Sequence, residues 1–111
     1  MNLSKKKIGL IIFSYIEASL EQFDSISIND IAATFGLHRS TASNYMSPYR
    51  ELKPSNVRYV LSGPTSHYQK GFSFERVVLE GSATHYLSCV DDLFGSDVLK
   101  RFEARLKDLA L

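Results

Sequence analysis

Several features that would place the chain in a particular class of protein are missing. Its 111 residues include one cysteine, Cys89, and no tryptophan, and basic residues exceed acidic ones by only one, 13 against 12. A single cysteine excludes an intramolecular disulfide and is typical of a reducing cytoplasm. No apolar run approaches the ~20 residues of a membrane span, so we expect no membrane association. The chain is long enough for one hydrophobic core.

The near-zero net charge conceals a regional bias. Between residues 39 and 76 there are six basic residues but only two acidic ones, Glu51 and Glu75. Because salt limits the reach of a charge to about 10 Å, this segment can attract phosphates even though the whole chain does not. An ordinary solvated face is the alternative explanation. The six basic residues are Arg39, Arg50, Lys53, Arg58, Lys70 and Arg76.

Residues 28–47 fit the template of a helix-turn-helix. Ile31 and Phe35 stand where the first helix must bury an apolar face, and the small Ala32 stands where the two helices cross. Gly36 occupies the turn, where the backbone needs a residue that tolerates φ > 0. The inward positions of the second helix hold Leu37, Ala42 and Tyr45. The pattern predicts a DNA-binding protein.

The remaining positions of the second helix of the motif carry side chains that can all donate or accept hydrogen bonds, as a base-reading face requires. They are His38, Arg39, Ser40, Thr41, Ser43, Asn44 and Ser47. Arg39 can bond to guanine, and Asn44 can bond to adenine or hold a phosphate. The hydroxyls suit phosphates as well as bases. His38 could contact DNA or cap the helix, and the sequence leaves both open.

Apolar spacing predicts three helices in the N-terminal half. We expect the first over residues 5–23, followed by a stub strand within 25–28. Asn29 is the expected N-cap of the second helix. Pro48 should end or kink the third helix near Ser47, because proline removes a backbone hydrogen bond.

Two short alternating segments, 57–61 and 67–70, surround a turn-forming cluster and predict a β-hairpin. A hairpin directly after a helix-turn-helix is the wing of a winged-helix domain. Its candidates for contact with the DNA backbone or minor groove are Arg58, His67 and Lys70, with simple solvation as the alternative. Tyr45 and Tyr59 are expected in the core, whereas Tyr49 and Tyr68 could be buried or meet a phosphate. Residues expected to pack the wing onto the helices are Phe72, Phe74, Val77, Val78 and Leu79.

The C-terminal residues predict two more helices. Ser82 is the expected N-cap of a helix that runs through Leu93, and Ser96 is the expected start of the last one. A helix-pairing seam is indicated by Leu99, Phe102, Leu106 and Leu109, at spacings of 3, 4 and 3. The seam could pack on the chain's own core or form a homodimer contact. We therefore predict a mainly α winged helix-turn-helix domain over 1–80 and a helical extension over 81–111.

Residues 49–59, with the motif before them, contain a Pro-x-Asn-x-x-Tyr element that is fairly specific. The residues of the whole pattern are Phe35-Gly36-Leu37, Ala42-Ser43, Tyr49, Leu52, Pro54, Asn56, Val57, Tyr59 and Tyr68. The pattern resembles the N-terminal domain of WYL-domain transcriptional repressors, in particular regulators associated with bacterial phage-defence islands, over roughly residues 8–80. The resemblance implies a repressor that binds an inverted repeat in double-stranded DNA as a homodimer, in the cytoplasm and at the nucleoid when bound.

The chain also departs from that family. His38 stands where the family has a capping serine, Asn44 replaces an aspartate, and Pro48 is atypical. Residues 81–111 are too few for a WYL sensing domain, so the chain is expected to be either a fragment of a longer regulator or a short relative.

Two other functions compete with a dimeric regulator, a protein-binding module and a non-specific architectural DNA binder. The second is disfavoured because architectural proteins usually carry more positive charge. A winged-helix module that binds proteins and not DNA is favoured by the net charge of +1 and by a recognition helix that is not rich in lysine or arginine. An enzyme is not expected, since His85 and Cys89 lack a third partner and no phosphate loop or zinc spacing occurs. No cofactor and no metal are predicted.

Overall fold

The computed structural model describes residues 5–62 and 66–108, without the side chains at positions 5, 96–99 and 102. Its helices are α1 (Lys5–Phe23), α2 (Ile28–Phe35), α3 (Arg39–Leu52), α4 (Ala83–Phe94) and α5 (Ser96–Asp108). Its strands are β1 (Ser25–Ile26), β2 (Val57–Val60) and β3 (His67–Lys70), and a 3-10 turn over Pro54–Asn56 joins α3 to β2. The predicted fold class, a mainly helical winged helix with a small hairpin, is confirmed. Residues 63–65 of the predicted turn cluster lie outside the described residues.

The core forms around one stripe of α1. Ile12, Ile16 and Leu20 recur every four residues and are buried, because side chains four apart lie on one side of a helix. Ile31 of α2 and Met46 of α3 belong to the same cluster. Full burial of side chains of this size contributes about 1.5–3 kcal/mol each. The two helices of the helix-turn-helix are therefore fixed on α1.

Helix α2 starts earlier than predicted. Its N-cap is Ser27, whose hydroxyl accepts from the backbone N–H of Asp30 at 3.1 Å, while the Asp30 carboxylate accepts from the backbone N–H of Ser27 at 2.9 Å. This reciprocal pair satisfies two N–H groups that the helix leaves free. The expectation that Asn29 is the cap was wrong, because Asn29 lies inside the first turn. Gly36 ends the helix with φ 66°, as the turn requires.

Pro48 lies inside α3 and does not end it. The helix continues to Leu52, because Met46 and Tyr49, on either side of the proline, are buried and fix the following turn to the core. The hydrogen bond that proline cannot donate would have gone to the carbonyl of Asn44, an exposed residue where water can replace it. Of the two outcomes expected near Ser47, the end of the helix was wrong, since α3 is more than one turn longer. The kink stays a prediction.

The three strands form an antiparallel sheet in the order β1-β3-β2. Tyr59 pairs with Tyr68, and Arg58 pairs with Gln69. Directly opposed residues share a face of the sheet, so the two tyrosines lie on one face and Arg58 on the other. Tyr59 is 48% exposed because β2 is an edge strand with no neighbour beyond it. The prediction of Tyr59 as a core residue was wrong, whereas Tyr68 and the half-buried Tyr45 pack with the core.

The segment after the wing packs onto the helices only in part. Gly71 and Phe74 close a tight turn, with the Phe74 N–H donating to the Gly71 carbonyl at 3.2 Å. The turn leaves the Phe72 side chain fully exposed, while Phe74 reaches the core and Leu79 is buried. The expectation of packing was therefore wrong for Phe72 and for Val77, which is 40% exposed.

The C-terminal helices follow the prediction in outline. Ser82 caps α4, accepting from the His85 N–H at 3.1 Å, and α4 ends one residue beyond Leu93. In the predicted seam, Leu106 is 37% exposed, while residue 109 and the side chains at 99 and 102 lie outside what the structure describes. No helix of the described ranges combines the length and apolar character needed to cross a membrane.

Candidate nucleic-acid interface

The outward side of α3 is the surface that the sequence predicted for base reading. Ala42, Met46 and Tyr49 of this helix are buried. Because α-helical side chains repeat every 3.6 residues, the opposite side must face away from the core. Of the predicted residues, His38, Arg39, Ser40 and Asn44 are exposed, and Thr41 and Ser43 are half-buried at the edges of this face.

His38 is the N-cap of α3, but its side chain makes no capping hydrogen bond. Its backbone is extended, and its carbonyl accepts from the Ala42 N–H at 2.9 Å. The imidazole is therefore exposed at the N-terminal end of the helix, beside Arg39. The sequence left open whether His38 contacts DNA or caps the helix. Its side chain does not cap the helix.

Three of the six basic residues of the 39–76 window are already paired with acids. Lys53 lies 3.7 Å from Glu75, and Lys70 lies 3.2 Å from Asp24. Arg76 donates to both carboxylate oxygens of Glu21. These pairs reduce the positive charge that the sequence count indicated.

The other three, Arg39, Arg50 and Arg58, are exposed and make no ion pair with any residue that the structure describes. Arg58 donates to the neutral side-chain oxygen of Gln69, its partner across the hairpin. All three arginines therefore keep their full charge for an external anion.

Arg50 was not among the predicted site residues. Its guanidinium carbon lies 5.3 Å from the centre of the Tyr68 ring, within range of a cation–π contact. On α3 it follows Arg39, Ser43 and Ser47 at spacings of four, four and three, which places the four on one stripe. That spacing could have identified Arg50, but the expected end of the helix near Ser47 excluded it.

The predicted wing residues do not form one cluster. Lys70 pairs with Val57 and so shares the face of Tyr59 and Tyr68, whose rings lie 4.9 Å apart. Arg58 and His67 lie on the opposite face. Through Arg50, the tyrosine face of the wing is continuous with the outward side of α3.

Three buried side chains that are joined by hydrogen bonds lie behind this surface. The Tyr49 hydroxyl donates to Glu17 of α1 at 2.8 Å and accepts from the Asn56 side chain at 2.8 Å. Burial raises the pKa of the Tyr49 hydroxyl well above its ordinary range, so the hydroxyl stays protonated and can donate. Because Tyr49 is fully buried, the phosphate contact considered for it from the sequence is excluded.

Comparison with known families agrees with this architecture. Residues 13–92 match the model of the BrxR transcriptional regulator winged helix-turn-helix domain. The chain belongs to the BrxR family. The matched range runs from α1 into α4 and contains the whole helix-turn-helix and wing. The resemblance to phage-defence regulators is thereby confirmed, and this BrxR-family chain carries the winged-helix domain of a DNA-binding transcriptional regulator.

A search of curated proteins finds no match for this chain. In the BrxR-family match, residues 81–92 are included with the winged helix, and the structure packs α4 on α1 through Ala18, Leu79 and Ala83. The division into 1–80 and 81–111 stays a prediction.

The side chains of His85 and Cys89 on α4 lie close together but form only a pair. The Cys89 sulfur lies 3.6 Å from Nε2 of His85, and both residues are exposed. Within residues 5–62 and 66–108 no group of three histidine, cysteine or acidic side chains could hold a metal ion.

Proposed function

We propose that this BrxR-family chain binds a specific sequence in double-stranded DNA with the outward side of α3 in the major groove. The observation that carries the proposal is the stripe formed by Arg39, Ser43, Ser47 and Arg50, which runs along α3 beside its buried residues and is exposed at both ends. A helix of this size fits the major groove, where each base pair presents a distinct hydrogen-bonding pattern. The two arginines at the ends of the stripe are charged and are not paired with any acid among the described residues.

The residues of α3 divide by position. Arg39 and His38 stand at the N-terminal end, the part of a recognition helix that usually reaches base edges. Asn44 suits adenine, and Ser40, Thr41 and Ser43 suit bases or phosphates. Arg50 stands at the other end, beside the wing, where a phosphate contact is the natural role for a guanidinium.

The wing completes the surface. Arg58, His67 and Lys70 are proposed to contact the DNA backbone or minor groove. Arg58 and His67 lie on one face of the hairpin and Lys70 on the other. The DNA backbone would therefore run along the edge of the wing, where it can meet side chains from both faces. Lys70 exchanges Asp24 for a phosphate in this arrangement.

Regulation is proposed to be repression by a homodimer on an inverted repeat, with the dimer formed through Leu99, Phe102, Leu106 and Leu109. Two copies related by a twofold axis place two α3 helices about one helical turn of DNA apart. Occupation of such a site at a promoter would exclude the polymerase. The protein would act in the cytoplasm, at the nucleoid when bound, and without enzymatic chemistry.

The test is a titration of the purified chain against fragmented genomic DNA at two salt concentrations, with sequencing of the retained fragments. Recovery of one inverted repeat, with binding that weakens steeply as salt increases, is expected. Retention without enrichment of any sequence would contradict specific recognition. If no DNA were retained even at the lower salt concentration, the proposal of DNA binding would be contradicted.

A protein-interaction module is the second candidate. It is favoured by the three ion pairs that neutralise half of the basic window and by the exposed Leu61 and Phe72 on and beside the wing. Association through such apolar side chains would be nearly insensitive to salt, so the same two salt concentrations separate the two functions.

A further inference from the structure

One buried carboxylate organises the chain that leaves the wing. Glu17 of α1 is fully buried. Its oxygens accept from three consecutive backbone N–H groups, those of Val77 at 2.6 Å, Val78 at 3.0 Å and Leu79 at 2.8 Å. Hydrogen bonds to a carboxylate are about twice as strong as those between neutral groups. The segment that follows the wing, residues 77–79, is thereby held to α1.

The same carboxylate is bonded to the recognition helix. The Tyr49 hydroxyl of α3 donates to Oε2 of Glu17, the oxygen that also accepts from Val77. The hydroxyl is the one side-chain group of α3 in this buried set, and it stands one residue before Arg50.

The hydroxyl of Tyr49 is also bonded to the chain that enters the wing. Asn56, in the 3-10 turn before β2, donates to that hydroxyl at 2.8 Å and to the Glu75 carbonyl at 2.7 Å. Its side-chain oxygen accepts from the Glu75 N–H at 2.9 Å. The entry and the exit of the wing are therefore bonded to each other and, through Tyr49, to α3.

We propose that Tyr49 is a positioning residue for DNA binding, which sets the orientation of the wing relative to the base-reading side of α3. The proposal rests on the proposed function. Tyr49 itself is buried and touches no DNA. It acts by holding both ends of the wing, through Asn56 and Glu17, at a fixed distance from the turn of α3 that carries Arg50. The wing and the helix can then meet the same DNA without a rearrangement.

Tyr49→Phe isolates this role, because it removes the hydroxyl and keeps the ring. The edge contact of that ring with Phe13, at 5.4 Å between centres, is retained. The wing also keeps a backbone bond from Gly71 to the Asn56 carbonyl at 2.9 Å. The domain should therefore fold while its wing is less firmly held.

The experiment is a double-mutant cycle on DNA affinity. A wing variant with Arg58→Ala and Lys70→Ala is measured in the wild-type and in the Tyr49→Phe backgrounds, and Arg39→Ala is measured in the same two backgrounds. Tyr15→Phe is the matched control, since it removes a hydroxyl that joins α1 to Thr34 of α2 at 3.0 Å and is not bonded to the wing.

A positioning role predicts non-additivity confined to the wing. If the wing variant weakens wild-type binding about tenfold, it should weaken Tyr49→Phe binding less than about threefold. The loss from Arg39→Ala should be the same in both backgrounds, and Tyr15→Phe should leave the wing penalty unchanged. An unchanged wing penalty in Tyr49→Phe would overturn the proposal.

Two further readouts separate this result from general destabilisation and from failure of the proposed function. Amide hydrogen exchange at Val77, Val78 and Leu79 should accelerate in Tyr49→Phe and not in Tyr15→Phe, and equal protection would also overturn the proposal. Asn56→Ser breaks the same set from the wing side and should reproduce the non-additivity. Absence of DNA binding by the wild type would reject the proposed function, and this inference with it.

Discussion

Arg50 of α3 lies over the ring of Tyr68 on β3, the central strand of the sheet, with its guanidinium carbon 5.3 Å from the ring centre. The contact joins the two elements that the proposed function places on DNA. A guanidinium that stacks on an aromatic ring can still donate hydrogen bonds from its edge to an anion. Arg50 can therefore hold the wing and bond to a phosphate at the same time.

Removal of this side chain should weaken binding to every DNA sequence. Arg50→Ala is expected to reduce the slope of log affinity against log salt by about one, since one phosphate contact is lost. Arg50→Lys should recover the salt slope but not the full affinity, because an ammonium does not reproduce the planar stacking. Binding isotherms at several salt concentrations measure both. Arg101→Ala removes the same charge from α5, and an equal effect of that change would contradict a local role.

Arg39→Ala should act on specificity. A bidentate pairing with guanine discriminates against other bases by about 1–3 kcal/mol, so we expect a loss of that size on the recovered operator and little change on random duplex. Competition between the two duplexes measures the difference directly. Equal affinities of the wild type and Arg39→Ala for both duplexes would show that the helix is oriented otherwise.

Gly71 is required by a close backbone approach. A Cβ at this position would stand 1.9 Å from the Ser55 carbonyl oxygen, a contact that only a backbone shift could relieve. Gly71→Ala should destabilise the domain by about 2–4 kcal/mol, measured by urea unfolding. Gly9→Ala is the matched control, because among the described residues its Cβ would meet only Tyr45 Cε1, at 4.0 Å. As a helical substitution it should stabilise by about 0.5–1 kcal/mol.

The Glu21–Arg76 pair should make stability depend on pH. The hydrogen bonds from Arg76 hold the pKa of Glu21 below its ordinary value of 4.5. A group whose pKa is lower in the folded state contributes stability above its unfolded pKa and loses it as the pH falls through the folded one. Arg76→Gln should therefore be less stable than the wild type at about pH 7, with a difference that shrinks below about pH 4.5.

Urea unfolding across that range checks the sign. Lys53→Gln serves for comparison, because the Lys53–Glu75 pair is more exposed, with 75% of the glutamate side chain accessible, and exposed pairs contribute little. A stability gap for Arg76→Gln that grows toward acid would refute the assigned cause.

The helix-turn-helix was predictable because its constraints are local. Gly36 has the positive φ that its place in the motif required, and the apolar spacing of α1 identified the stripe that is buried. The two strands of the wing were also located by their alternation. In each case, residues within one or two turns of each other determine the pattern.

The errors arose where distant residues decide. Pro48 stays within α3 because Tyr49 is anchored to Glu17, thirty-two positions earlier, and no local rule contains that bond. The missed Arg50 followed from the same error. Tyr59 reads as a core residue by its strand pattern, but its exposure depends on β2 being an edge of the sheet, which is a property of strand order.

The sequence by itself determined the class of this protein: a winged helix whose second motif helix presents arginine, asparagine and hydroxyl side chains. Periodicity and turn chemistry suffice for that, since they act along the chain. Only the tertiary structure decided which cations remain available, because Lys53, Lys70 and Arg76 are paired with acids from other elements. It also decided how the wing is joined to α3, since a buried polar group must find its partners wherever the fold brings them.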